Sequence, residues 1–142
     1  MQLRSAAVID LVSIEALLRA SDLPTAGVAE HVTNFIVAVD SESVIACGGL
    51  EFHDAFALMR SIAVAGDARG AGLGKAIVSS LLTECRSRAI QSVVLLTTTA
   101  ERYFADQGFV RVTREDVPRP LLASAQFQGV CPGSATTMLK VL

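Results

Sequence analysis

The fold of this chain is decided by Leu58-Met59-Arg60-Ser61-Ile62-Ala63-Val64 and, after four intervening residues, Arg69-Gly70-Ala71-Gly72-Leu73-Gly74-Lys75. The first segment is mostly apolar and predicts a buried strand over residues 56–64. The second is a glycine-rich turn that predicts the start of a helix running to about residue 88. Behind the turn, apolar residues recur at helical spacing, at Ile77, Val78, Leu81 and Leu82.

A turn of this kind presents unpaired main-chain N–H groups at the positive end of a helix dipole, and glycine lets an anion approach them. The Walker A pattern GxxxxGK[ST] is excluded, because its first glycine would fall on Arg69 and Ala76 replaces Ser/Thr. The pattern GxGxxG is excluded as well, since counting from Gly70 puts Lys75 at the last glycine. A strand-to-helix connection alone needs one glycine, whereas glycines at the alternate positions 70, 72 and 74 favour a pyrophosphate site.

The remaining elements indicate a mixed α/β (α+β) fold. Upstream, the pattern predicts strands over residues 3–6, 34–39 and 44–52 and an amphipathic helix over residues 9–20, with Ile9, Val12, Ala16 and Leu17 near one face. Downstream, it predicts strands over 93–97, 109–113 and 137–141, a short helix over 101–106 and a helix or turn over 121–127. Because antiparallel strands come first and a strand–helix–strand unit follows, we expect a mixed, mostly antiparallel sheet of about seven strands flanked by helices. No linker divides the chain, so residues 1–142 are expected to form a single domain.

The composition restricts the possible functions. Hydrophobic residues make up 51% and charged residues 18% of the 142, which excludes disorder, and polar residues interrupt the longest uncharged stretch, residues 120–139. Asp10 and Glu15 break the apolar run that a signal peptide needs, so we expect a cytoplasmic protein. The net charge of −2, with ten Arg and two Lys scattered along the chain, argues against nucleic acid and favours a small anionic ligand. The three cysteines are widely spaced, which favours buried inert thiols over a disulfide or a metal site.

Several motifs resemble one enzyme family. Residues 58–64 followed by Arg69-Gly70-Ala71-Gly72-Leu73-Gly74 match the R/Q-x-x-G-x-G/A acyl-CoA motif of the GNAT N-acetyltransferases. Residues 100–109 are similar to the family's A-x-x-x-Y-x-x-x-G-F segment, and Leu95-Leu96-Thr97-Thr98-Thr99-Ala100 resembles the acetyltransferase domain of N-acetylglutamate synthases. Leu23-Pro24-Thr25-Ala26-Gly27-Val28 with Cys131-Pro132 resembles short single-domain GNATs found with arsenic-resistance genes.

This resemblance implies acetyl-CoA as the cosubstrate, without a metal. Main-chain groups of Ile62, Ala63 and Val64 would pair with the pantetheine arm, and a bulge in the fourth strand would aim the amide of Ile62 or Ala63 at the thioester oxygen. The fourth and fifth strands would splay apart to admit the cofactor. Thr97 stands where many relatives have asparagine, and its hydroxyl would either bond the cofactor or cap the next turn. Seven consecutive amides would hold the pyrophosphate, those of Arg69, Gly70, Ala71, Gly72, Leu73, Gly74 and Lys75.

Two positions depart from the family pattern. The tyrosine that protonates the leaving thiolate in many relatives falls on Phe104, and Tyr103 stands one residue earlier, about 100° away around a helix. Tyr103 is therefore a candidate acid that does not simply inherit the role, and a thiol with a pKa near 8.5 is a tolerable leaving group without one. The glutamate base of histone-acetylating relatives falls on Leu58, which leaves Glu51 and His53 as candidate bases. The alternatives are that Glu51 is a solvated strand end, that His53 is a turn residue and that a water chain removes the proton.

Arg60 completes the candidate catalytic set of Glu51, Arg60 and Tyr103. A guanidinium in an apolar strand is costly unless it is paired, and strict alternation would place it on one face with Leu58 and Ile62. It would either clamp the carboxylate of an acceptor or form an internal salt bridge, for instance to Glu51.

The residues and the resemblance together predict an acetyl-CoA-dependent N-acetyltransferase. Its acceptor would be the primary amine of a small, anionic, amino-acid-like molecule, with detoxification as a candidate role. The alternative is an acyl-CoA-binding regulatory module without turnover. We expect no nucleic-acid or membrane partner, and the pattern is compatible with a homodimer.

Overall fold

A computed structural model describes residues 1–131 and 133–142, and within them seven β-strands follow one another in the hydrogen-bonded order β1-β2-β3-β4-β5-β7-β6. Pro132, part of the Cys131-Pro132 motif, lies outside the described residues. The strands are β1 (Gln2–Ser5), β2 (Phe35–Asp40), β3 (Ser43–His53), β4 (Phe56–Val64), β5 (Ser92–Thr97), β6 (Val110–Val112) and β7 (Thr136–Val141). The helices are α1 (Leu11–Ala20), α2 (Val28–His31), α3 (Leu73–Ser87) and α4 (Glu101–Asp106).

Strand pairing confirms the mixed, mostly antiparallel sheet. β1 and β2, β2 and β3, β5 and β7, and β6 and β7 pair antiparallel, whereas β4 and β5 are parallel and are joined through α3. The parallel pairing joins only residues 56–58 to residues 92–94, as expected of strands that splay apart.

The chain divides into two compact units, and the first comprises Met1–Leu50 and Arg60–Glu84. Its core is formed by residues of α1, α2 and the first strands, among them Ile14, Leu18, Val28, Phe35 and Val37. The ring of Phe35 fills the space that a side chain at position 49 would need, which explains the glycine there. The first unit contains the second half of β4 and the glycine-rich turn.

The predicted apolar face of the first helix is only partly right, because Leu17 is buried as predicted whereas the other members are not. Ile9 and Val12 are 87% and 77% exposed, whereas the buried stripe of α1 consists of Ile14, Leu17 and Leu18. Leu11, Ile14 and Leu18 satisfy the helical spacing as well as Ile9, Val12 and Ala16 do, so the period alone does not select the face. The sequence pattern did not predict the four-residue helix α2. This helix begins after Gly27, whose backbone is left-handed.

The second unit comprises Glu51–Met59 and Cys85–Leu142. Its core cluster joins β4 and β5 to the segment before β7, through Leu58, Val94, Val117, Leu121 and Phe127. The predicted helix or turn over residues 121–127 consists of the 3-10 segments Arg119–Ala123 and Ala125–Phe127. None of the helices described is long and apolar enough to cross a bilayer.

Candidate active site

The glycine-rich turn leads into α3 with an open backbone. Gly70 and Gly72 have φ angles of +85° and +79°, which glycine adopts readily and other residues do not. A Cβ at either position would meet no atom within 4 Å, so both glycines border open space. The turn is solvent-exposed from Arg69 to Gly72, whereas Leu73 at the start of α3 is buried. The first amides of a helix lack intrahelical partners, and this turn leaves those of α3 accessible to an anion.

β4 contains a distortion immediately before this turn. Ser61 has a φ of +63°, a left-handed conformation in the middle of a strand. Such a conformation costs a non-glycine residue on the order of 1–3 kcal/mol and persists only where neighbours enforce it. The Arg60 Nε donates to the Ser61 Oγ at 3.0 Å, and the Cys47 thiol of β3 donates to the Ser61 carbonyl at 3.3 Å.

The hydrogen bonds of the following residues fix the direction of their amides. The Ala63 amide donates to the Cys47 thiol, and the Ala65 amide donates to the Ile45 carbonyl at 2.8 Å, so both point towards β3. Because successive strand residues direct their N–H groups to opposite edges, the Ile62 and Val64 amides point away from β3. At that edge the Arg69 Nε donates to the Val64 carbonyl at 3.3 Å.

Ser61 also overturns the expectation that Arg60 and Ile62 share a face. Ile62 packs over Gly48, where an added Cβ would collide with Ile62 and with Ile77 of α3. Arg60 instead directs its Nη2 to the carbonyl of Pro24, in the loop between α1 and α2, at 3.4 Å. The left-handed residue between them breaks the alternation on which the expectation rested.

Arg60 is 4% exposed, so its charge is held inside the first unit. Within the first unit its Nε donates to the Ser61 Oγ and its Nη2 to the Pro24 carbonyl, the latter over a long 3.4 Å. A guanidinium carries five N–H donors in a planar fork, which matches a carboxylate.

The second unit brings the two candidate bases together. The Glu51 carboxylate is 1% exposed, and its Oε1 lies 3.0 Å from the His53 Nε2. The His53 side chain is 20% exposed, so it connects a buried carboxylate to solvent. The expectation that Glu51 is a solvated strand end does not hold.

Thr97 and Tyr103 also belong to the second unit. The Thr97 Oγ1 accepts from the Ala100 amide at 3.0 Å, so the hydroxyl caps the turn that leads into α4. The Tyr103 hydroxyl is buried and has no hydrogen-bond partner in the described residues, and burial raises its pKa. Phe104, at the family's tyrosine position, is buried and packs edge-on against Phe109.

Two residues of the site escaped sequence reasoning. Ser61 carries no signal of a left-handed backbone, since this conformation favours glycine and asparagine. Cys47 was expected to be one of three inert buried thiols, and it is fully buried, but its sulfur also donates to the carbonyl of Ser61 in the distorted strand. Among the described residues, no group of three His, Cys, Asp or Glu side chains is arranged to hold a metal ion.

Comparison with known proteins decides the family. Residues 31–111 match the acetyltransferase (GNAT) domain. This chain belongs to the GNAT acetyltransferase family. The predicted resemblance is confirmed, and the match includes β3, β4, the glycine turn, α3, β5 and α4.

Named relatives and solved structures resemble this chain in sequence or in fold. Amino-acid acetyltransferases of Actinobacillus pleuropneumoniae are 26% identical over 91 residues, which cover 63% of this chain but 21% of theirs. The N-acetylglutamate synthase of Neisseria gonorrhoeae, solved with coenzyme A and N-acetyl-glutamate, has a TM-score of 0.85 at 19% identity, over 99% of this chain and 35% of that one. A Mycobacterium tuberculosis protein solved in complex with CoA has a TM-score of 0.80 at 24% identity, over 100% and 99% of the two chains. These likenesses confirm the GNAT fold, and the chain spans about a fifth of the curated relatives it matches.

Proposed function

We propose that this GNAT chain transfers the acetyl group of acetyl-CoA to the primary amine of a small, anionic, amino-acid-like acceptor. The observation that carries the proposal is the arrangement within the first unit. A strand whose Ile62 and Val64 amides point to one edge is followed directly by a glycine turn that exposes amides at the start of a helix. An acyl-CoA needs both features, since its pantetheine arm carries amides and its pyrophosphate is an anion.

The residues present fit acetyl-CoA. The amides from Arg69 to Lys75 would bind the pyrophosphate, where Gly70 and Gly72 leave room for it. The Ile62 carbonyl and the Val64 main chain would pair with the pantetheine arm, which leaves the Ile62 amide for the thioester, while the neighbouring Ala63 amide keeps its bond to Cys47. The Arg69 side chain would leave the Val64 carbonyl and turn to the phosphates, and the Thr97 hydroxyl would donate to the cosubstrate while it accepts from Ala100. The coenzyme A bound in the two related structures supports this assignment.

The reaction needs an amine that has lost its proton. Glu51 would take this proton, and His53 would pass it to solvent, because the pair spans from a buried to a partly exposed position. The amine nitrogen then forms a bond to the thioester carbon. The Ile62 amide would stabilise the oxyanion that develops on the carbonyl oxygen.

Collapse of this intermediate breaks the carbon–sulfur bond, and the second amine proton goes to the departing thiolate. Tyr103 is the candidate acid for that step, since its hydroxyl is buried and burial keeps it protonated. The products are the acetylated amine and free coenzyme A.

Arg60 would select the acceptor. A buried guanidinium within an apolar strand suits the carboxylate of an amino acid or a similar oxyanion on an amino-acid-like toxicant. The named relatives are amino-acid acetyltransferases and an N-acetylglutamate synthase, which supports an acceptor of this class. A detoxification role rests on the likeness to single-domain proteins found with arsenic-resistance genes.

The cosubstrate assignment predicts that Gly72→Glu abolishes acetyl-CoA binding while the fold is kept. Since Gly72 has a positive φ, any side chain strains the turn. The matched control is Gly72→Ala, which introduces the same backbone strain but no charge. We expect the Glu variant to bind acetyl-CoA more than about tenfold more weakly than the Ala variant, because a carboxylate would repel the pyrophosphate. Calorimetry measures both affinities, and near-native affinity in a folded Glu variant would remove the pyrophosphate assignment.

The leaving-group assignment is tested by Tyr103→Phe. The change deletes a buried hydroxyl without a partner in the described residues, so thermal stability should be unchanged or slightly higher. We expect turnover to fall less than the roughly 10²–10⁴-fold typical of losing a general acid, because Tyr103 is one residue out of register with the family's acid and coenzyme A can leave as a thiolate without help. A larger fall at unchanged stability would establish Tyr103 as the acid.

The acceptor assignment predicts that Arg60→Met lowers kcat/KM for amino-acid acceptors, because an anionic group would lose its buried partner. The corresponding loss of transition-state stabilisation is on the order of 2–5 kcal/mol. A panel of amines with and without an anionic group is assayed by release of free thiol, with acetyl-CoA affinity measured alongside. Affinity for acetyl-CoA should stay near the wild-type value, and Arg119→Met, which changes an exposed arginine, should leave all activities unchanged.

Three outcomes of this panel would contradict the assignments. Equal losses for all amines, or loss of cofactor binding, would make Arg60 structural. Absence of amine-dependent thiol release from the wild type would favour the regulatory module and overturn the proposed function.

A further inference from the structure

The distorted residue of β4 needs an external support. A left-handed Ser61 is unfavourable by itself, and a left-handed residue interrupts the regular alternation of a strand. The orientation of the next peptide, which carries the Ile62 amide, depends on how firmly Ser61 and Ala63 are held on either side of it.

One sulfur atom holds both of these residues. Cys47 is fully buried in β3, its Sγ donates to the Ser61 carbonyl at 3.3 Å, and the same atom accepts from the Ala63 amide. A hydrogen bond to sulfur is longer than one between backbone groups, and the thiol spans the 3.3 Å to the Ser61 carbonyl oxygen. On the opposite face, Ile62 is packed over Gly48, so the peptide is fixed from both faces.

The thiol of Cys47 stays protonated, so it can always donate its hydrogen bond to Ser61. Burial raises the pKa of its thiol to about 12, while the Ala63 amide acts in the opposite direction. The thiol therefore keeps its proton near neutral pH and can donate to Ser61 throughout the range in which an acetyltransferase would work. A protonated, buried thiol is a poor nucleophile, which argues against an acetyl-enzyme intermediate on this residue.

We propose that Cys47 is a positioning residue that holds the Ser61–Ala63 distortion and so directs the Ile62 amide at the thioester oxygen. The inference rests on the proposed function for its catalytic consequence, but the bracing itself is independent of any substrate. Oxyanion stabilisation depends on donors fixed before the reaction, so loosening this peptide should slow the chemical step more than it weakens binding.

The kinetic test compares Cys47→Ala, which deletes both hydrogen bonds, with Cys47→Ser, which keeps a donor and an acceptor of shorter reach. We expect Cys47→Ala to lower kcat by about tenfold to hundredfold with KM for acetyl-CoA and amine nearly unchanged, and Cys47→Ser to recover part of the loss. The matched control is Cys85→Ala, which truncates another fully buried cysteine, on α3. It should lower thermal stability comparably and leave kcat near the wild-type value.

A second readout needs no activity. Hydrogen exchange of the Ala63 amide in the full chain without substrate should accelerate about tenfold or more in Cys47→Ala, relative to the Ala65 amide, which donates to a backbone carbonyl in both proteins. Cys47→Ser should retain most of the protection. If Cys47→Ala does not fold, an intermediate kcat and intermediate Ala63 protection in Cys47→Ser support the proposal.

Unchanged kcat and unchanged Ala63 exchange in folded Cys47→Ala would overturn the inference while the proposed function stands. A wild type that releases no thiol with any amine would instead overturn the proposed function. In that case, the exchange measurement still decides whether Cys47 braces the strand.

Discussion

The left-handed backbone of Ser61, in the middle of β4, is the constraint on which the candidate site depends. A regular strand would place Arg60 and Ile62 on one face and would keep an unbroken alternation of amides along its edge. With the distortion, Arg60 reaches Pro24, Ile62 packs over Gly48, and Ala63 joins the core beside Cys47. The strain of about 1–3 kcal/mol is offset by the hydrogen bonds of Cys47 and of Arg60 to Ser61.

Glu51 and Arg60, two buried charged residues, are each tied to a second polar group by a hydrogen bond. Glu51 is bonded to His53 in the second unit, and Arg60 is bonded to Ser61 in the first. A buried charge is costly unless it is compensated, and a domain with 18% charged residues has few such groups to place inside. The proposed function uses Glu51 as the base and Arg60 as the anion clamp.

Sequence reasoning recovered most of the fold because the signals were local. The bounds of β4 and α4 agree with the predicted residues 56–64 and 101–106, where apolar runs end at glycines or turns. The glycine turn was recognisable because glycine spacing reports directly on backbone conformation, and Gly70 and Gly72 have the expected positive φ. The face of α1 was predicted only in part, with Leu17, because two apolar stripes fit the same period and only packing against β2 and β3 selects Ile14 and Leu18.

The site was less predictable, because it depends on tertiary contacts between distant residues. A serine at position 61 does not indicate a positive φ. The contact of Cys47 is with Ser61, 14 positions away in the sequence. The association of Glu51 with His53 follows from their alternate positions in one strand, which put both side chains on the same face. Their position at the end of the third strand identified both as candidate bases, but it did not predict the hydrogen bond between them.

A crystal structure of the chain grown with acetyl-CoA tests the central claim most directly. The account predicts a thioester oxygen about 2.7–3.1 Å from the Ile62 amide nitrogen. Ser61 should remain left-handed, with Cys47 still bonded to Ser61 and Ala63. A thioester oxygen held by the Ala63 amide or by another group, or a regular extended backbone at Ser61, would contradict it.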